Sequence, residues 1–286
     1  MKIGISGASG NLGSATVRHL KARLGGQANI VGISRTPEKV EALGVEARRG
    51  DFDQPETLAV AFEGLDRLLL IPTDNMQPGV RAKQQSAAIE QAVATGVQHV
   101  VLLSAVGARF AEVPHLWESY FVPEQFLMRS AERWTIVRMA YYAESFVQEA
   151  QMSLAQGAHV SLAPTPVNFV AREDVAAASA AVLATEGHHG TIYQATGPEA
   201  LDGPARAALI AKVAGQSYAF AQVTPEQYGE GLTGAGLPPF MVDAVLSIQD
   251  MWAKGGFDVT TGDVERLTGR PPKSLADIAK ESLRPA

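Results

Sequence analysis

The segment Gly7-Ala8-Ser9-Gly10-Asn11-Leu12-Gly13 follows the short aliphatic run Lys2–Ser6 and opens into Leu12, Ala15, Leu20 and Leu24 at roughly helical spacing. A Gly-x-x-Gly-x-x-Gly pattern in that setting suits one chemistry. It makes a tight turn, lets backbone approach a pyrophosphate closely, and aims a helix amino terminus at the anion. A lone glycine triplet is weak, but the strand–turn–helix context makes it a dinucleotide signal. Gly7, Ser9, Gly10, Asn11, Leu12 and Gly13 are therefore expected to contact a cofactor.

Selection between NAD and NADP is usually set about 20 residues beyond the first glycine, at the end of the second strand. An acidic residue there would hold a ribose 2′-hydroxyl and repel a 2′-phosphate. This chain has Ser34-Arg35 instead. A guanidinium beside a hydroxyl suits a phosphate, so NADPH is expected to be preferred over NADH, although Arg35 on a solvated loop or stacked on adenine stays open. Gly50-Asp51-Phe52 falls where the third strand should end. Asp51 there is placed to accept from an adenine amino group and Phe52 to lie along the ring, or Asp51 to cap the next helix.

The elements that must position these residues alternate. Strands are expected at Lys2–Ser6, Asn29–Ser34, Val45–Arg48, Arg67–Ile71, His99–Ser104, Thr135–Val137 and Thr191–Ala195, with a long helix over Val80–Thr95. Near-continuous aliphatic strands separated by helices predict an α/β fold, a Rossmann-like doubly wound parallel sheet. Beyond about residue 150 the rhythm changes: an alanine-rich helix over Asp174–Thr185, with Asp174 as its cap, then a helical stretch from about Thr224 to Arg284. The expected division is a Rossmann domain over 1–150 and a small, mostly helical substrate region over 151–286, interleaved with the last strands of the sheet.

Composition narrows the function. The 286 residues carry a formal charge of −6 with no long basic run, which argues against a nucleic-acid partner. The chain has no cysteine, which removes disulfides, thiolate metal sites and cysteine nucleophiles. No His-Glu-x-x-His and no clustered ligands point to a metal, and His188-His189 reads as a solvated turn. The turn at Gly7 lacks the Gly-Lys-Ser/Thr ending of a nucleotide-triphosphate loop, and no Gly-x-Ser-x-Gly marks a hydrolase. No signal peptide or membrane-spanning run is read, so a cytoplasmic protein without a membrane partner is expected. Homo-oligomer formation stays open.

With the glycine turn, Gly50-Asp51-Phe52, Val137-Arg138-Met139 and Thr268-Gly269-Arg270-Pro271-Pro272 in view, the chain resembles the NmrA-like group of atypical short-chain dehydrogenases/reductases. Within the group it is most similar to the quinone oxidoreductases, triphenylmethane reductases and flavin-independent azoreductases. The resemblance covers nearly the full length. It implies that Thr73 and Ser104-Ala105-Val106 line the cofactor's ribose and nicotinamide, and that no flavin or metal is needed.

Most short-chain dehydrogenases pair Tyr and Lys in Tyr-x-x-x-Lys, the Lys lowering the phenol pKa for proton donation. Here Tyr120 is followed by Glu124 where the Lys would stand. A carboxylate beside the phenol would raise its pKa, which disfavours alcohol dehydrogenation and favours reactions needing mostly hydride delivery. Conjugated acceptors such as quinones, azo compounds and triarylmethane dyes fit, with orientation supplying much of the catalysis. Tyr120 is the candidate proton donor or substrate orienter. Trp117, Tyr120, Tyr141, Tyr142, Phe146 and Phe169 are the expected substrate-pocket residues, with Phe110 a further aromatic candidate. The expected function is a flavin-independent NADPH-dependent reductase of small aromatic acceptors. The alternative is a non-catalytic NADP-binding redox sensor that regulates a protein partner, and a sugar-nucleotide epimerase is a weaker rival.

Overall fold

The computed structural model describes residues 1–26, 29–110 and 116–283. Its first half alternates β1 (Lys2–Ser6), α1 (Asn11–Leu24), β2 (Asn29–Ser34), α2 (Glu38–Glu41), β3 (Glu46–Arg49), α3 (Glu56–Phe62), β4 (Arg67–Leu70), α4 (Val80–Ala94), β5 (His99–Ala105), α5 (Glu118–Ser130) and β6 (Trp134–Met139). The chain continues through β7 (Tyr141–Tyr142), α6 (Ala143–Ser153), β8 (Ala158–Ser161), β9 (Val167–Val170), α7 (Arg172–Ala184) and β10 (Thr191–Ala195). It ends with β11 (Ala200–Leu201), α8 (Gly203–Ala214), β12 (Ala219–Gln222), α9 (Pro225–Gly234), α10 (Pro239–Ala253), α11 (Asp263–Thr268) and α12 (Leu275–Ser282).

Seven strands form one sheet in the order β10-β6-β5-β4-β1-β2-β3, and every neighbouring pair is parallel. This is the doubly wound, Rossmann-like α/β order. The period-2 alternation of a strand explains why it needs helices on both faces. Leu69, Val101 and Leu103 join the core cluster on one face, while Leu68, Leu70, Val100 and Leu102 join the cluster on the other. Helix α1 lies along α7, whose run of small residues, Ala176, Ala177 and Ala180 among them, is buried and lets the two axes approach.

The late elements do not stay apart from the sheet, because β10 pairs with β6 in parallel. The rest of the C-terminal half forms two small sheets, β11-β9-β7 and β12-β8, under a helical layer. The helices expected near the end are α9 to α12; Arg284 lies outside the described residues.

Most boundaries move by a residue or two, and two readings change. Asp174 is not the cap of α7: Ala171 holds that position. The Asp174 carboxylate is buried in the first turn, accepts from the Lys273 N–H at 2.7 Å and pairs with Arg270 at 2.7 Å. It straps the Thr268–Lys273 stretch onto α7. His188 is half-buried rather than solvated, its ring bonded to the Tyr193 hydroxyl and to Thr185. Among the described residues no helix is long and apolar enough to cross a membrane.

Candidate active site

The turn after β1 is built by its glycines. Gly7 has φ of +63°, the left-handed region that a side chain rarely tolerates. A Cβ at position 13 would lie 2.3 Å from the Gly7 carbonyl oxygen, so only glycine lets α1 start this close to the turn. The Gly10 N–H donates to Gly7 O at 3.0 Å. Gly10 caps α1, and no side chain satisfies the first-turn N–H groups. They are left facing the space beyond the strand ends, as an anion requires.

That space is a groove of about 320 Å³ at the carboxyl ends of the central strands. Gly7, Ser9, Gly10, Asn11, Leu12, Gly13, Ser34, Arg35, Asp51, Phe52 and Thr73 all line it, together with Ile33, Ile71 and Asp74. The sequence thus singled out residues from four separate loops that the fold brings to one place.

The Ser34 hydroxyl bonds to that of Ser9 at 2.7 Å and accepts from the Thr36 N–H at 3.1 Å, which ties the first two loops together. Arg35 is exposed at the rim. It makes no side-chain hydrogen bond or ion pair among the described residues. Asp51 does not cap α3, where Pro55 holds the cap position. Its carboxylate accepts from the Asp53 N–H at 3.0 Å, stiffening the loop that presents Phe52. Thr73 donates to Gln84, which donates to Asp53, so a short hydrogen-bonded chain closes this side of the groove.

Asp74 is shared with a second pocket of about 360 Å³. Ala105, Trp117, Tyr120, Tyr141 and Tyr142 line that pocket, with Met139, Ala140, Ile248, Phe257 and Arg81. Trp117 and Phe257 pack at 5.6 Å between ring centroids, and the Trp117 indole N–H donates to Ser247 O. The Tyr141 hydroxyl donates to Glu149. Burial raises the Tyr141 pKa, with Glu149 adding to the effect, and burial pushes Glu149 itself up to about 7. Burial also raises Tyr142, whose ring carries the Arg172 guanidinium at 4.8 Å.

Several expectations need correction. Phe146 and Phe169 do not line the pocket: they are buried core, packed on each other at 4.7 Å, with Phe169 behind Tyr141. Phe110 is 71% exposed on the surface. Ser104 is fully buried, and its hydroxyl donates to Glu124 at 2.6 Å rather than lining either space. Val106 is also buried and lines neither; of the three residues expected at the end of β5 and just beyond it, only Ala105 reaches the pocket. The Glu124 carboxylate is not presented to the Tyr120 hydroxyl. Both its oxygens are taken by Arg138, at 2.8 and 2.5 Å, which cancels the charge assumed to act on the phenol.

Arg81, Ile248 and Phe257 escaped the sequence reading, and Met139 entered it only as part of the Val137-Arg138-Met139 run, not as a pocket residue. Phe257 follows α10 in a loop, and nothing in its neighbours marks it. Among the described residues no group of three or more His, Asp or Glu converges as a metal site would require.

A doubly wound parallel sheet whose glycine turn faces a groove at the strand ends defines a Rossmann-like nucleotide-binding protein. The chain belongs to the NAD(P)H-binding family, whose profile matches residues 7–186. It is 28% identical to the NAD(P)H azoreductase of Xenophilus azovorans, over 96% of each chain. The NADPH complex of the NADPH-dependent quinone oxidoreductase from Escherichia coli superposes with a TM-score of 0.91 at 27% identity, covering 99% of this chain and 100% of that one. The NADP(H) complex of the Citrobacter sp. triphenylmethane reductase gives a TM-score of 0.88 at 29% identity, covering 98% and 100%. These relatives are oxidoreductases, and they are the kinds to which the sequence motifs pointed.

Proposed function

We propose that the protein is a flavin-independent, NADPH-dependent reductase of conjugated aromatic acceptors. The observation that carries this reading is that two spaces adjoin, with Asp74 lining both. The glycine-lined groove at the strand ends meets, at Asp74, an aromatic pocket walled by Trp117, Tyr120, Tyr141 and Tyr142. A donor in the first would then border an acceptor in the second.

The residues fit a dinucleotide phosphate. Gly7 at φ of +63° and Gly13 packed on the Gly7 carbonyl make a turn tight enough for a pyrophosphate to lie against backbone at the start of α1. Backbone N–H groups of the first turn of α1, from Asn11 to Gly13, would hold it. Arg35, exposed and without a partner among the described residues, would take the 2′-phosphate, and Phe52 and Asp51 the adenine. When bound, the nicotinamide supplies a hydride.

The protein's own work is positioning. Flat aromatic walls orient a planar acceptor, and orientation can account for a large share of a barrier, up to roughly 7–11 kcal/mol in well-aligned cases. Tyr120 is the group we assign to proton donation or to holding the substrate. Ile248 and Phe257 bring the region 151–286 into the pocket, consistent with a substrate-binding role for that half. The relatives named above, an azoreductase, a quinone oxidoreductase and a triphenylmethane reductase, support this substrate range.

The test is NADPH consumption by purified protein, without added flavin, against quinones, azo dyes and triarylmethane dyes. Turnover of any class, with NADH clearly poorer, supports the proposal. Tight NADPH binding with no acceptor reduced would replace it with the redox-sensor reading.

A further inference from the structure

Among the described residues three arginines are almost entirely buried: Arg67, Arg81 and Arg206. Two have conventional partners. Arg67 donates to the carbonyls of Leu183 and Thr185, each at 2.7 Å, and pairs with Glu186. Arg206 donates to the carbonyls of Thr165 and Leu201 at 3.0 and 2.7 Å. Arg81 has neither. Its side chain is 5% exposed, and its Nε and Nη1 atoms are buried without a hydrogen-bond partner among the described residues.

Arg81 is the second residue of α4, and it lines the aromatic pocket. Its guanidinium carbon lies 5.0 Å from the centre of the Tyr120 ring. A cation over an aromatic face is favourable but leaves the N–H edges of the guanidinium unsatisfied. Buried charges are retained when something pairs with them. No carboxylate among the described residues lies within ion-pair distance of Arg81. Asp74, at the mouth shared by the two spaces, is exposed and makes no such pair.

We infer that Arg81, stacked on Tyr120, is an anion-binding subsite of the pocket, and that the preferred ligand is a flat aromatic molecule bearing a carboxylate or sulfonate. This rests on the reading that the pocket receives the acceptor, and it deepens that reading by naming the acceptor's charge. The planar fork of Arg matches a carboxylate or sulfonate through two parallel N–H···O bonds. The aromatic walls hold the ring system. By the same argument a cationic triarylmethane dye meets like charge and is the poorest of the three acceptor classes, while an anionic azo dye is the best.

The decisive experiment uses ligands that cannot be reduced, so it does not depend on the reductase assignment. Binding of 2-naphthoate and of the isosteric neutral 2-naphthamide to the full-length protein, with NADPH present, is measured by calorimetry. Naphthoate should bind roughly ten- to a hundredfold tighter, the range that charge-assisted hydrogen bonds provide. The wild-type comparison alone tests the subsite, whatever happens to a variant. Arg81→Met keeps length and apolar contact and should abolish the difference, costing naphthoate far more affinity than naphthamide. Arg81→Lys should restore part of it. Equal affinities in the wild type, or a preference that survives in Arg81→Met, would overturn the inference. A clear, Arg81-dependent preference in a protein that reduces nothing would leave the subsite standing and remove the reductase reading alone.

Discussion

Glu124 and Arg138 form a two-pronged ion pair at 2.8 and 2.5 Å, with the carboxylate fully buried and a third bond, from Ser104, at 2.6 Å. The pair joins α5 to β6, and Ser104 draws in β5. The acid raises the Arg138 pKa further, chiefly through its hydrogen bond. Glu124 stands where Lys would be in a Tyr-x-x-x-Lys pair, so Glu124→Lys looks at first like a repair. It should instead place an ammonium against a guanidinium with no acid nearby to separate them. Breaking a buried pair by losing one partner costs about 3–5 kcal/mol, and the added cation makes that a lower bound. Urea unfolding should show a large drop in midpoint and no gain in alcohol oxidation. A wild-type midpoint would mean that the pair contributes nothing.

The glycine turn makes a sharper demand. A Cβ at position 13 would stand 2.3 Å from Gly7 O and within 2.8 Å of other backbone atoms of the turn, whereas one at position 10 would meet only Gly7 O, at 3.3 Å. Gly13→Ala must therefore push α1 off the turn, for about 1–3 kcal/mol of strain and at least a tenfold loss of NADPH affinity. Gly10→Ala should be milder in stability. Melting curves alongside NADPH titrations of the two variants check the order, and equal stability losses would contradict the packing argument.

Both readings also show what was legible in the sequence. Strand identities and the glycine turn are local signals. Apolar runs such as Arg67–Ile71 and His99–Ser104 need two buried faces, and the parallel order follows from the intervening helices. The groove was therefore legible as well, because residues just after β1, β2, β3 and β4 must meet at one edge of such a sheet. The pocket was less so. Glu124 lies four residues after Tyr120, which puts the two on one helix face, but nothing local says that its carboxylate turns to Arg138. Phe146 and Phe169 have the composition of pocket walls and are core. Arg81 reads as an ordinary helical arginine, since only tertiary packing turns it inward.

Arg35 should set cofactor choice. It is exposed at the groove rim, so its removal costs little stability. Arg35→Ala should weaken NADPH by roughly ten- to a hundredfold, the worth of charge-assisted bonds to a phosphate, and leave NADH nearly unchanged. Titration of both cofactors against wild type and variant settles it. Parallel losses would show that Arg35 contacts something the two cofactors share.

Tyr120→Phe separates the phenol's chemistry from its ring. The ring still carries Arg81, so the pocket should persist. If the hydroxyl donates the proton, turnover should fall by about 10²–10⁴-fold with KM and NADPH affinity nearly unchanged. Steady-state kinetics on one quinone and one azo dye are enough. An unchanged rate would leave Tyr120 as a platform for Arg81 and nothing more.

Glu149, which accepts from the Tyr141 hydroxyl, should make stability depend on pH. Burial holds its pKa at about 7, above the roughly 4.3 of an unfolded glutamate. Between those values the native state binds more protons than the unfolded state, so this contribution is complete below the lower value and is lost as pH rises to the upper one. His99 and His159 work in the opposite direction. Buried as neutral rings with pKa values of about 4 and 3, they stabilise above the unfolded value of about 6.5, and that stability is lost as pH falls. The whole-protein slope is therefore a composite, and the difference from a single variant is the cleaner measure. Glu149→Gln keeps an acceptor for Tyr141 and cannot ionise. It should match the wild type near pH 5 and become the more stable protein by pH 8, by at most about 3 kcal/mol. Denaturation curves at stepped pH follow the difference directly. A constant gap between the two proteins from pH 5 to 8 would mean that Glu149 does not titrate in that range, and that the carboxylate beside Tyr141 is charged throughout.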